Sequence, residues 1–203
     1  MAITISGSGI TSANIADGTI VNADVADVAA SKLTGALPAI DGSSLTGISG
    51  GKVLQVQSSF MNAYASTTST TFVDTGLTVN ITPTSTTSKI LIFVNMPSNH
   101  PGQYGSWFNL VRNGTNIAQG SGANAVQCSF GTLNQSGDEY DISQGNLNYL
   151  DSPSTTTAIT YKIQYRTGTN GTLCINANKT NSGGTNADFA NVTSNITVQE
   201  IGA

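Results

Sequence analysis

The side chains best suited to polar chemistry gather in one segment, Ser98-Asn99-His100-Pro101-Gly102-Gln103-Tyr104-Gly105-Ser106-Trp107, which holds the one histidine and the one tryptophan of the chain. Aromatic rings with polar edges beside amides suit carbohydrate, because a ring face packs on sugar C–H groups while amides bond to hydroxyls. His100, Gln103 and Tyr104 are therefore expected as exposed receptor contacts on a loop between two strands. Trp107 and Phe108 are expected to begin a strand and pack inward, as large aromatic side chains usually do.

Other constellations offer less. Asp138-Glu139-Tyr140-Asp141 places three carboxylates in four residues, enough in principle for a hard cation such as calcium. It lacks the alternating spacing of a calcium loop and reads as a solvated turn. A glycosidase needs two carboxylates fixed across a sugar bond, whereas Asp151 and Glu200 read as structural. With a single histidine and no nucleophile elbow, phosphate-binding loop or paired zinc ligands, neither a catalytic triad nor a zinc site has its parts. The expectation is a protein that binds rather than catalyses, with no metal and no cofactor.

The elements that position these residues divide at Ile48-Ser49-Gly50-Gly51. Before it, a small or aliphatic residue recurs every fifth position: Ile5, Ile10, Ile15, Ile20, Val25 and Ala30, then Ile40 and Leu45. That period fits neither a helix nor a single strand, so the stripe needs copies of itself to be buried. One short block favours neighbouring chains over stacking along one chain, which predicts a homotrimer with Ile10, Ile15, Ile20 and Val25 on its axis. A pentapeptide-repeat β-helix is the rival, weakened by the interruptions at Gly35 and Pro38. Asp24 to Leu33 could form one short turn of helix. Residues 1–50 are thus read as a shaft, and residues 51–203 as a head.

In the head, Leu77, Val79 and Ile81 alternate with polar residues, as do Ile159, Tyr161, Ile163 and Tyr165, each the mark of a half-buried strand. Ile90-Leu91-Ile92-Phe93-Val94 is apolar on both sides, so its second face should meet another sheet or subunit. Lys52 to Phe60 reads as a first strand, and Val192, Ser194, Ile196 and Val198 as a last one. Val126, Cys128 and Phe130 share a face. Asn113-Gly114 and Asn170-Gly171 supply the positive φ angles of tight hairpins and predict two antiparallel pairs. About eight to ten strands without helical periodicity predict an all-β chain with an antiparallel β-sandwich of jelly-roll type.

Charged residues are 9% of the chain and its net charge is −4, against a usual charged share of about a quarter. Such a surface has no footprint for nucleic acid or anionic lipid. No stretch approaches a membrane span and no secretory signal is evident, so synthesis and assembly in cytoplasm are expected. Cys128 and Cys174 read as two small buried thiols rather than a disulfide or metal framework.

Several segments resemble one family. Ile15-Ala16-Asp17-Gly18-Thr19-Ile20, Ala30-Ser31-Lys32-Leu33-Thr34-Gly35 and Ile40-Asp41-Gly42-Ser43-Ser44-Leu45-Thr46-Gly47 are similar to the shaft and neck repeats of bacteriophage tail fibres, particularly those of marine and cyanobacterial phages. Lys52-Val53-Leu54-Gln55-Val56, Ile81-Thr82-Pro83-Thr84-Ser85, Leu150-Asp151-Ser152-Pro153 and the run Ser194 to Ile201 resemble the terminal domain of such virion proteins. The resemblance implies a trimeric fibre, held to other virion proteins by its N-terminal region. Its head would be related in shape to the tumour-necrosis-factor fold and would touch a bacterial surface glycan or protein. A head fibre or capsid decoration protein, built from the same parts, is the alternative implied location in the virion.

Overall fold

A computed structural model describes residues 53–101, 105–124, 126–133, 140–168, 171–178 and 190–202. All of them lie in the compact unit Ser49–Ala203. The expected axis residues Ile10, Ile15, Ile20 and Val25, and the short helical turn at Asp24 to Leu33, lie outside the described residues.

The described chain is all-β, and its strands form two antiparallel sheets packed as a sandwich. The long strands alternate between the sheets. β1 (Val53–Met61), β4 (Lys89–Asn99), β8 (Ser143–Asp151) and β11 (Ser194–Ile201) join one sheet in the order β1-β11-β4-β8. β3 (Val73–Ile81), β5 (Gly105–Arg112), β7 (Phe130–Leu133) and β9 (Ile159–Thr167) join the other in the order β3-β9-β5-β7. This winding, in which late strands insert between early ones, is the jelly-roll order expected from the sequence. Three short strands complete the sheets. β2 (Ala65–Thr67) and β10 (Leu173–Ile175) extend the first beyond β11, and β6 (Thr115–Ile117) pairs with the end of β5.

Period-two alternation explains the core. Leu77, Val79 and Ile81 of β3, Ile90, Ile92, Val94 and Met96 of β4, Phe108 and Leu110 of β5, and Ile159, Tyr161, Ile163 and Tyr165 of β9 all point between the sheets and are buried. Each fully buried aliphatic side chain contributes about 1.5–3 kcal/mol. Phe108 and Phe130 stack within this layer, their centroids 5.0 Å apart. A bulge interrupts β3 between Asp74 and Thr78, where Gly76 has φ +92°. The Thr75 hydroxyl fills the gap in the ladder, donating to the Ile163 carbonyl at 2.8 Å and accepting from the Leu77 amide at 3.1 Å.

The two hairpin signals part company. Asn113 and Gly114 both take positive φ, 46° and 86°, and turn β5 tightly into β6. Gly171 also has positive φ, 96°, but the strands on either side of that turn do not pair. β9 belongs to the second sheet, and β10 crosses to the first to pair with β2 and β4.

Candidate functional site

The structure buries the first residues of the expected contact segment. β4 runs on to Asn99, and Ser98, Asn99 and His100 are all buried. His100 therefore sits under the chain rather than on its surface, which corrects its expected exposure. Its Nδ1 faces the Pro101 carbonyl at 3.1 Å, and its Nε2 meets the Thr167 hydroxyl at 2.5 Å. With a proton on Nδ1 to reach the carbonyl, Nε2 accepts from Thr167. Gly171 leaves the ring room, since a Cβ there would lie 3.0 Å from His100 Cε1. Burial lowers the imidazole pKa below its ordinary 6.5 and keeps the ring neutral. Gln103 and Tyr104 lie outside the described residues, as do Asp138 and Glu139. Asp141 instead contributes its backbone carbonyl, which accepts from Asn99 Nδ2.

Asp151 and Glu200 are structural, as their sequence context implied. Arg112 Nη1 donates to both oxygens of Asp151, at 2.7 and 2.9 Å, and the Tyr161 hydroxyl donates to Oδ2 at 2.6 Å. Burial and the adjoining Asp151 carboxylate push the Tyr161 phenol far above its ordinary 10. Glu200 is covered completely and receives Gln55 Nε2 at 2.6 Å, with the Thr84 amide and hydroxyl each at 2.7 Å. Burial alone would raise its pKa, but these donors together hold the carboxyl down at about 2.

The outer face of the second sheet carries a pocket that sequence reasoning missed. Phe108 and Leu110 face the core, so alternation turns Trp107 and Asn109 outward. Trp107 was expected to pack inward; it lies half-buried on the opposite side. Its indole rests across two glycines, Gly105 on its own strand and Gly131 directly opposite on β7. A Cβ at Gly105 would stand 2.3 Å from the indole Cζ2, and one at Gly131 would stand 2.5 Å from Cε3. Only glycine at both places lets the ring lie flat on the backbone.

The connection from β6 to β7 forms the rest of the site. Ser129 fixes its end: the hydroxyl donates to the Ile117 carbonyl at 2.7 Å and accepts from the Leu110 amide at 2.9 Å, bridging the gap between β6 and β7 along β5. Gln119 Nε2 donates to Asn109 Oδ1 at 3.1 Å and to the Gln127 carbonyl at 3.2 Å. Gln127 in turn donates to the carbonyls of Gly122 and Asn124. The result is a cavity of about 410 Å³ lined by Trp107, Asn124, Val126 and Cys128. Val126 and Cys128, expected to share a strand face with Phe130, are loop residues that wall this cavity. Cys128 is half-buried, and burial raises its pKa, so the thiol is a neutral wall. Cys174 is fully buried. Neither is joined in a disulfide, and the Cys174 sulfur lies 3.3 Å from the Tyr64 hydroxyl. Arg166, opposite Trp107 in register, donates to the Thr167 and Gly168 carbonyls and lies over the Phe72 ring.

The two outer faces differ in kind. That of the second sheet is polar, with Lys162 and Asp74 paired at 2.7 Å and Gln164 donating to the same carboxylate. That of the first sheet is neutral. Register places Val56 and Phe60 of β1, Leu91 and Phe93 of β4, Leu150 of β8 and Ile201 of β11 on its outward side, interleaved with Thr197, Gln199, Asn146 and Asn148. Phe60 is 71% exposed, Leu150 53% and Val56 52%. Among the described outward residues of these four strands, Lys89 at the rim carries the one charge.

Among the described residues no group of three metal-ligating side chains forms a site, and no helix is long and apolar enough to cross a membrane. No protein-family model and no curated protein matches the chain. Among solved structures, the dimeric latent PorU from Porphyromonas gingivalis is similar at 11% identity over 76% of this chain, with a TM-score of 0.36, a likeness that carries no argument. This chain spans 14% of the length of that one.

Proposed function

We propose that this chain is a phage virion protein: a homotrimeric fibre whose N-terminal residues 1–50 attach to the particle and whose sandwich head contacts the host cell surface. The observation that carries the reading is the neutral outer face of the first sheet. A face formed by four strands, with exposed Phe60, Leu150 and Val56 and with one charge at its rim, is suited to burial against identical faces. Its uncharged amides and hydroxyls can pair across such a contact without desolvating ions. The five-residue stripe of the N-terminal block asks for the same symmetry. Trimerisation would set three heads side by side, so weak contacts with a repeated surface glycan or protein would reinforce one another through effective concentration.

The reading is tested with the purified full chain. It should bind host bacteria and compete with phage adsorption. A chain that assembles but neither binds cells nor slows adsorption removes the host-recognition role.

A further inference from the structure

We infer that the cavity over Trp107 is a binding site for a single neutral sugar ring, an assignment that rests on the surface-recognition reading and gives it a place. Three observations converge. First, the indole is held flat: one face lies on the backbone of Gly105 and Gly131, which leaves the other for the cavity that Trp107 lines. A flat aromatic face matches the C–H side of a pyranose. Second, the wall of the cavity is braced: Gln119 donates to the buried Asn109 and to the Gln127 carbonyl, and Gln127 donates to the carbonyl of Asn124, so the lining loop is held in place over the ring. Third, the lining is uncharged, its thiol is neutral, and the volume of about 410 Å³ falls in the range of small-ligand sites. Among the described lining residues none is charged, so an anionic sugar would meet no ion partner in the wall itself. The site lies on the outer face of the second sheet, away from the neutral face proposed for self-association, so each protomer would keep its own copy.

Trp107 is the single tryptophan of the chain, so its fluorescence reports this cavity alone. The full chain is titrated with methyl glycosides of glucose, galactose, mannose and N-acetylglucosamine, with glucuronate as the anionic probe and cyclohexanol as the apolar one. At least one neutral glycoside should give a saturable change with a Kd of about 1 mM, the scale for so small a ring. Calorimetry should show that heat lost in Trp107→Ala, with the fold kept as judged by circular dichroism. Gly131→Ala should weaken binding at least tenfold by lifting the indole off the backbone. Phe60→Ala should leave binding unchanged. No response to any neutral glycoside, a stronger response to glucuronate or cyclohexanol, or undiminished heat in Trp107→Ala overturns the assignment. Cell attachment without glycoside binding would move recognition elsewhere on the head. Glycoside binding without cell attachment would keep this site and remove the host role.

Discussion

Replacing Glu200 by Gln keeps the shape of the side chain and removes its charge. The carboxylate accepts from Thr84 twice and from Gln55 once. A glutamine offers one acceptor and turns an NH₂ group toward a donor. If its oxygen keeps Thr84, its nitrogen meets Gln55 Nε2, and turning Gln55 over to present its oxygen forfeits the 2.7 Å bond from that nitrogen to the Thr82 carbonyl. The pKa displacement from 4.5 to about 2 corresponds to roughly 3 kcal/mol, an upper figure because the amide keeps some of these bonds. A cost of about 2 kcal/mol follows, or a fall in Tm of about 4–8 °C at neutral pH for a chain of this size. The sign with pH is fixed by the depressed pKa. The contribution is complete above pH 4.5 and is lost as pH falls toward about 2, so the melting curves of the two proteins should converge across that window. Scanning calorimetry from pH 7 to pH 2.5, at one protein concentration, measures both. A Tm within a degree of the parent at pH 7, or a gap that persists unchanged at pH 2.5, would refute the reasoning.

Three further outcomes are expected. Asp151→Ala strips the acceptor from Arg112 and from the buried Tyr161 hydroxyl and should cost about 3 kcal/mol, read by urea denaturation; a loss under about 1 kcal/mol would mean that neither partner depends on it. His100 is buried neutral with its pKa depressed below 6.5, so its contribution is present above that pH and declines as pH falls toward the lower folded value; His100→Gln should flatten this part of the stability profile, and an unaltered slope between pH 6.5 and 5 would count against it. Phe60→Asp with Leu150→Asp places three pairs of carboxylates in the proposed shared face and should release monomers on a sizing column with light scattering, while circular dichroism stays that of the parent; an unchanged oligomer would place the contact elsewhere.

Much of the sandwich was legible because alternation is a local property. Leu77-Val79-Ile81 and Ile159 to Tyr165 reveal their buried side without any knowledge of their partners, and Asn113-Gly114 reveals a hairpin because both residues must take positive φ. Asn170-Gly171 misled because a turn signal says that the chain reverses, not which sheet the next strand joins; β10 crossed to the other layer. The candidate site was harder. The polar composition around His100 resembles a loop, yet β4 continues to Asn99 and its end is covered, a tertiary fact with no local signature. Trp107 was misplaced by the general tendency of large aromatics to be buried. The corrective signal was present: Phe108 and Leu110 already claim the inward side, and the glycines at 105 and 131 leave room for a ring outside. Asp151 and Glu200 were read as structural, but the donors each meets, Arg112 and Tyr161 for one and Gln55 and Thr84 for the other, lie elsewhere along the chain and left no local signal.

Both the proposed shared face and the five-residue stripe require three copies of the chain. Native mass spectrometry of the full protein, sprayed from neutral ammonium acetate at micromolar concentration, should give a species of three times the 20.8 kDa chain mass. A stable species at the mass of one chain would contradict both the shared neutral face and the fibre built upon it.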